Sequence, residues 1–235
     1  MTDSILYSVM LLSLLGVLAA LVLYLVSKRF YVYENPQISE VEELLPGANC
    51  AGCGLPGCRS FAEKLVEADD LSDLFCPVGG NEVMKLVSQA LGKEVVEKDP
   101  TVAVVRCQGS CEVRPKTSEY QGPRSCAISA LIYCGETDCQ YGSLGDGDFV
   151  EVCQFDAMYM DETTGLPVVI TDKCTSCGMC VEACPRDIIE MRPKHKRDLK
   201  IFVGCLNEEK GGIARKACSV ACIGCSKCMD ICPKD

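Results

Sequence analysis

Of the 235 residues 20 are Cys, and their spacing says more than their number. The run Cys174-x2-Cys177-x2-Cys180-x3-Cys184-Pro185 returns as Cys222-x2-Cys225-x2-Cys228-x3-Cys232-Pro233. Three thiolates so spaced wrap one [4Fe–4S] cube, while the fourth, followed by Pro, reaches the other cluster of a pair. Small residues at Ser176, Gly178, Gly224 and Ser226 let backbone N–H groups approach the sulfurs closely. A zinc ribbon instead sets two separated C-x2-C knuckles around one ion. A second kind of motif, Cys50-x2-Cys53-x4-Cys58-x17-Cys76-Pro77, lies in LPGANCAGCGLPGC. There Gly47, Gly52, Gly54 and Gly57 supply the turns that allow one loop to present three thiolates. The competing reading of this motif is a zinc knuckle beside an unrelated Cys76.

Composition narrows the chemistry further. With 23 Lys and Arg against 33 Asp and Glu, the net charge is −10, which argues against nucleic acid as a partner. One His and no Trp leave His-based zinc, haem and triad chemistry little to work with. Residues Ile5 to Val26 carry no charge, and as a helix they would extend roughly 33 Å, enough for a hydrocarbon core of about 30 Å. The flank before them has no Lys or Arg and no small-residue cleavage site follows, so a retained anchor is expected rather than a signal peptide. Lys28 and Arg29 directly after the span place the rest of the chain on the cytoplasmic side of the inner membrane. In that reducing compartment thiols serve as metal ligands rather than disulfides.

The elements that must position these thiols are short. A polar linker is expected at 28–45, with a short helix after Pro36, and amphipathic helices at 59–68 and 81–91, the second closed by Gly92. TVAVV at 101–105 reads as a strand leading into Cys107. Short strand signals follow at 157–160, 168–171, 187–191 and 200–203, with a hairpin around ETTGLP. The fold class expected is α+β: a single transmembrane helix (1–27), the linker (28–45), an N-terminal 4Fe-4S domain (46–92), a Cys-containing middle segment (93–138) and a ferredoxin-like domain of the bacterial 4Fe-4S type (139–235). Such small domains have thin cores, so bound metal would carry much of their folding energy.

LPGANCAGCGLPGC behind an N-terminal span, then RCQGSC, then two ferredoxin runs, resembles the B subunit of the Rnf complex, the membrane-bound ferredoxin:NAD⁺ oxidoreductase that pumps Na⁺ or H⁺. The resemblance covers essentially the whole chain. It implies a component that takes electrons from reduced ferredoxin and relays them to other subunits, which hold the nicotinamide and flavin sites. No catalytic residue is implied on this chain. No G-x-G-x-x-G in a strand-to-helix context and no CxxCH haem site is present.

Two departures stand out. Ahead of Cys174 the family pattern is C-x3-C-x5-C-x3-C, whereas this chain has Cys139, Ser143, Phe149 and Cys153. Crosswise wiring implies that Cys153 completes Cys174, Cys177 and Cys180. It also implies that the cluster of Cys184 is missing, or rewired through Cys126, Cys134 and Cys139. Cys222, Cys225 and Cys228 want a fourth ligand as well: either the chain is truncated, or Cys218 serves through its x3 spacing to Cys222. Cys107-x3-Cys111 with Cys126 could hold a further cluster with Cys205 or Cys218, or could be small buried thiols. At least three [4Fe–4S] clusters are expected.

The basic run RPKHKRDLK (192–200) could steer an acidic ferredoxin, or could be an ordinary solvated insertion in which His195 lies at the surface. Two other functions stay open at this point. One is a membrane-tethered reductase of a redox-sensing regulator; the other is a zinc-stabilised interaction scaffold.

Overall fold

The computed structural model describes residues 2–30, 35–132, 135–194 and 200–232. Cys134, His195, Lys196 and Arg197, singled out above, lie outside the described residues. Helix α1 (Thr2–Arg29) holds the uncharged stretch, and its described side chains from Leu6 onward are exposed. Among the described residues it is the one helix long and apolar enough to cross a membrane. Lys28 and Arg29 close its last turn, where cations complement the helix dipole.

Three helices then build the first core: α2 (Pro36–Leu44), α3 (Cys58–Glu67) and α4 (Gly80–Leu91). The Asn35 side chain caps α2 by accepting from the Gln37 N–H, and Pro36 takes the first turn, where its missing N–H costs nothing. The stretch read as a linker therefore contributes to the core, since Val41 and Leu45 are buried with Phe61, Leu65, Leu71, Met84 and Val87. Phe61 and Leu65 stand four residues apart and so share one face of α3. The Lys93 ammonium donates to the carbonyls of Leu65 and Val66 (both 2.9 Å) and Ala68, which an ending helix would otherwise leave unsatisfied. Gly92, at φ 65°, stops α4 in the left-handed conformation that a Cβ would strain.

The remainder runs β1 (Thr101–Val105), α5 (Cys126–Ile132), α6 (Asp148–Glu151), β2 (Met158–Asp161), β3 (Leu166–Val169), α7 (Met179–Glu182), β4 (Ile189–Pro193), α8 (Gly211–Ala217) and α9 (Lys227–Ile231). This mixture of short helices and strands is the α+β class expected. β1 pairs antiparallel with β4, Thr101 opposite Pro193 and Val105 opposite Ile189, so the middle segment lends its strand to the C-terminal half. β2 and β3 form the expected hairpin, whose turn is tied by the Asp161 carboxylate accepting from Thr163 and Thr164. The second core joins Ala103, Phe149, Met158, Ile188 and Ile189 to Cys180 and Cys184. Residues 200–203, expected as a strand, join no sheet among the described residues: Arg106 Nε donates to the Val203 carbonyl at 3.1 Å, and Ile201 is 95% exposed. A β-branched run without a neighbouring strand to receive its backbone does not become a ladder.

Candidate iron–sulfur centres

The first centre is one loop closed by one returning thiol. Asn49 (φ 47°), Ala51 (φ 57°) and Gly54 (φ 80°) all adopt left-handed conformations around Cys50 and Cys53. Asn49 tolerates this and uses its side chain, whose Oδ1 accepts from the Cys58 N–H at 2.8 Å while Nδ2 donates to the Gly47 carbonyl. Its Oδ1 lies where a Cβ on Gly57 would come within 3.0 Å. Cys58 is thereby fixed at the N-terminus of α3, the helix runs out and back, and Cys76 returns. Cys50, Cys53, Cys58 and Cys76 line one cavity with about 320 Å³ of free space. The Gly79 N–H donates to Cys76 Sγ at 3.3 Å. Burial pushes the Cys76 thiol up, and Cys58 and Cys50 nearby push in the same direction.

In the second centre Cys153, Cys174, Cys177 and Cys180 line a cavity of about 340 Å³. The ligand loop is bent at Ser176 (φ 63°) and Gly178 (φ 81°). Ser176 is held there by Thr101 at the start of β1, hydroxyl to hydroxyl at 2.9 Å, and by a short bond to the Thr101 carbonyl. The Ala157 N–H donates to Cys153 Sγ at 3.4 Å. Burial pushes the Cys180 thiol up to about 12, with Cys174, Cys177 and Cys153 adding to the effect. For Cys177 burial again leads, and the neighbouring thiols that raise it include Cys50 of the first centre. The two centres touch: a Cβ on Gly52 would lie 2.8 Å from the Cys177 carbonyl oxygen and 3.0 Å from its Cα.

One backbone device occurs three times. Gly147 (φ 84°), Gly178 (φ 81°) and Ser226 (φ 58°) open α6, α7 and α9 in the left-handed region. Two residues later stand Phe149, Cys180 and Cys228 in turn. Asp156 (φ 48°) after Cys153 likewise matches Asp187 (φ 52°) after Cys184. The conformation of a ferredoxin turn thus persists where its thiols do not. Phe149 and Ser143 are 3% exposed, and with Leu144 they line a cavity of about 270 Å³ whose thiols, among the described residues, are Cys126 and Cys184. Cys139, considered above as a partner of Cys184, lines a different cavity. In the last run Cys222 is half-buried and Cys225, Cys228 and Cys232 are exposed, with Gly224 (φ 67°) and Ser226 repeating the bends at Ser176 and Gly178.

The remaining thiols group differently from the expected set of Cys107, Cys111 and Cys126 with Cys205 or Cys218. Cys107, Cys139, Cys205 and Cys218 line one cavity, whereas Cys111 is exposed and Cys126 sits with Cys184. No local spacing signals this set, because its members come from four separate parts of the chain; only RCQGSC marks one of them. Burial pushes the Cys218 thiol up, Cys139 and Cys107 add to this, and Arg114 opposes it.

The donor arrangement fits a cluster rather than a single ion. Among the described residues no three Cys, His, Asp or Glu side chains are drawn together tightly enough for one metal ion; the thiols stand around cavities instead. Where burial and like neighbours both oppose thiolate formation, a cationic core that takes every thiolate at once relieves the conflict. Thiol-ringed cavities on ferredoxin turns define an iron–sulfur electron-transfer protein. Comparison with known proteins agrees: residues 45–77 match the Fe-S cluster family and residues 167–190 the 4Fe-4S binding domain. The chain belongs to the family of B subunits of ion-translocating oxidoreductase complexes, the Rnf type. It is 39% identical to the B subunit of the ion-translocating oxidoreductase complex of Methanosarcina acetivorans, over 99% of this chain and 86% of that one. With the B subunit of the proton-translocating ferredoxin:NAD⁺ oxidoreductase complex of Clostridium ljungdahlii it shares 39% identity over 94% of this chain and 76% of the other. With the Na⁺-translocating counterpart of Acetobacterium woodii identity is 42% over 94% of this chain, which spans 65% of that relative's length.

Proposed function

We propose that this chain is the iron–sulfur relay component of a membrane-bound, ion-translocating complex, accepting electrons from reduced ferredoxin and passing them toward NAD⁺ reduction on partner subunits. Cys50, Cys53, Cys58 and Cys76 hold one [4Fe–4S] cluster, and Cys153, Cys174, Cys177 and Cys180 a second. Cys222, Cys225 and Cys228 present three thiols of a third; Cys184 and Cys232 stand at fourth positions of other clusters, that of Cys184 being the one whose place Ser143 and Phe149 fill. When bound, such a cluster takes up and gives back an electron without forming a bond to substrate. The observation that carries the reading is the contact of the first two centres, where the loop at Gly52 lies against the backbone of Cys177. A zinc scaffold has no need of that adjacency; a relay does.

The protein's own part is positional. Ser176 on Thr101 and Asn49 on Cys58 fix two ligand loops, and the N–H groups of Gly79 and Ala157 donate to ligand sulfurs. Hydrogen bonds of this kind favour the charged thiolate. Helix α1 tethers the chain in the membrane, and Lys28 and Arg29 put the centres on the cytoplasmic side. The names of the relatives supply ferredoxin and NAD⁺ as the two ends of the pathway. The test uses membranes holding the assembled complex, with reduced ferredoxin as donor and NAD⁺ reduction as readout. Cys50→Ser and Cys177→Ser, made separately, are each expected to reduce the rate to background; a rate that survives both defeats the relay reading.

A further inference from the structure

Four thiols from separate parts of the chain meet around one space. Cys107 follows β1, Cys139 and Cys205 lie in loops, and Cys218 caps α8. They line a cavity of about 320 Å³, matching that of the first centre. Cys139 and Cys218 are each 5% exposed, and all described cysteines are free.

The surroundings are built for charged sulfur. The Ser143 N–H donates to Cys107 Sγ at 3.4 Å, and Cys205 Sγ accepts from the N–H groups of Asn207 (3.5 Å) and Cys222 (3.3 Å). Asn207 Nδ2 also faces Cys139 Sγ at 3.9 Å. Gly109 and Gly142 keep the walls close: a Cβ on Gly109 would stand 3.3 Å from Cys218 Sγ, and one on Gly142 the same distance from Cys139 Sγ.

A second, independent observation is the cation. Arg114 lines the same cavity, 7% exposed. Its Nη1 donates to the Ser143 carbonyl at 2.6 Å, while its buried Nε has no hydrogen-bond partner among the described residues. A guanidinium stays charged in proteins, and a buried charge is costly unless an opposite charge answers it. Four thiolates around an iron–sulfide core would be that charge, since together they leave the group net negative.

We propose that Cys107, Cys139, Cys205 and Cys218 hold a [4Fe–4S] cluster of their own, with Arg114 as its buried counter-charge. This accounts for the placement of Cys139 away from Cys184, whose own neighbourhood is filled by Phe149 and Leu144. A zinc ion would require the four sulfurs to converge on a point, and among the described residues they do not. The site is independent of which donor or acceptor the complex uses, so it stands or falls separately from the relay.

The test is metal analysis of the full chain, purified without oxygen. The double variant Cys139→Ser, Cys218→Ser is expected to lose about four iron and four sulfide per chain, together with one component of the reduced electron paramagnetic resonance spectrum. Cys111→Ser, outside the ring, is expected to lose none. Undiminished iron in the double variant, or one zinc per chain in place of the four iron, overturns the proposal. Should the double variant fail to fold, Arg114→Gln decides. It is expected to keep its iron and to move one component to lower potential in a redox titration, since a positive charge favours the more negative, reduced form. Unmoved potentials overturn the proposal.

Discussion

At the scale of single residues, Gly52 has little freedom to change. Its backbone angles are open to other residues; what excludes a side chain is the Cys177 main chain, 2.8 Å from where a Cβ would stand. Backbone cannot swing aside as a flexible side chain can, so one loop must move. Gly52→Ala is expected to destabilise the chain by about 1–3 kcal/mol, the usual cost of forcing an atom into a packed contact. It is also expected to weaken the magnetic interaction between the first two reduced centres while leaving the iron content unchanged. Iron analysis with electron paramagnetic resonance checks both halves; an unaltered interaction would mean that the contact does not set the spacing. Phe149 makes the complementary point. It stands where Cys180 and Cys228 stand in their turns, and burying it against Cys184 and Ile188 replaces metal by apolar packing. In the variant Ser143→Cys, Phe149→Cys, a gain of iron is the outcome expected if the lost thiols alone removed a cluster.

At the scale of elements, the segment from β1 to α5 has almost no regular structure, and one carboxylate organises it. Glu136, its side chain 8% exposed, pairs with Lys116, accepts from Arg124 Nη1 at 3.1 Å and takes the Tyr120 N–H at 3.1 Å. Its own carbonyl receives the N–H groups of Thr117 and Ser118. The Lys116 hydrogen bond leads in holding this carboxyl below its ordinary 4.5; burial works the other way and is outweighed by Tyr120 and the cations. A depressed carboxylate contributes stability that is full above its ordinary pKa and is lost as pH falls through the lower folded value. Glu136→Gln is therefore expected to melt a few degrees lower at pH 7, with the gap closing below about 4.5. Far-UV circular dichroism melts across that range check it, and a gap independent of pH would assign the loss to packing instead. Asp148 acts similarly for α5, accepting from the Cys126 and Ala127 N–H groups at 2.7 and 3.1 Å, so a helix of 7 residues is capped from outside itself.

At the scale of the whole molecule, the two cores account for the body of the chain, and α1 belongs to neither. Its apolar side chains face outward along its length, Leu11 at 66% and Leu23 at 68% exposure. Apolar surface of that extent is covered by lipid or by other helices. Removing residues 1–30 is expected to release the chain from the membrane fraction with its iron per chain unchanged, as fractionation and iron analysis would show. Loss of iron on that deletion would show that α1 supports the centres directly.

What was legible in the sequence was local. Two ferredoxin runs, the Gly-rich loop before Cys58, the caps of α2 and α4 and the β2–β3 hairpin are each specified within a few residues, where backbone conformation follows residue type. The sequence by itself thus determined the cofactor chemistry, the family and the kind of elements. The grouping of Cys107, Cys139, Cys205 and Cys218, the seat of Arg114 among them and the meeting of Gly52 with Cys177 were decided only by tertiary structure. Thiols brought together from distant parts of the chain leave no spacing to read. Their meeting depends on how β1 finds β4 and how the loops close over them, a choice made by burial across the whole fold. By the same physics residues 200–203, with strand-forming composition but no partner strand among the described residues, stay outside the two sheets.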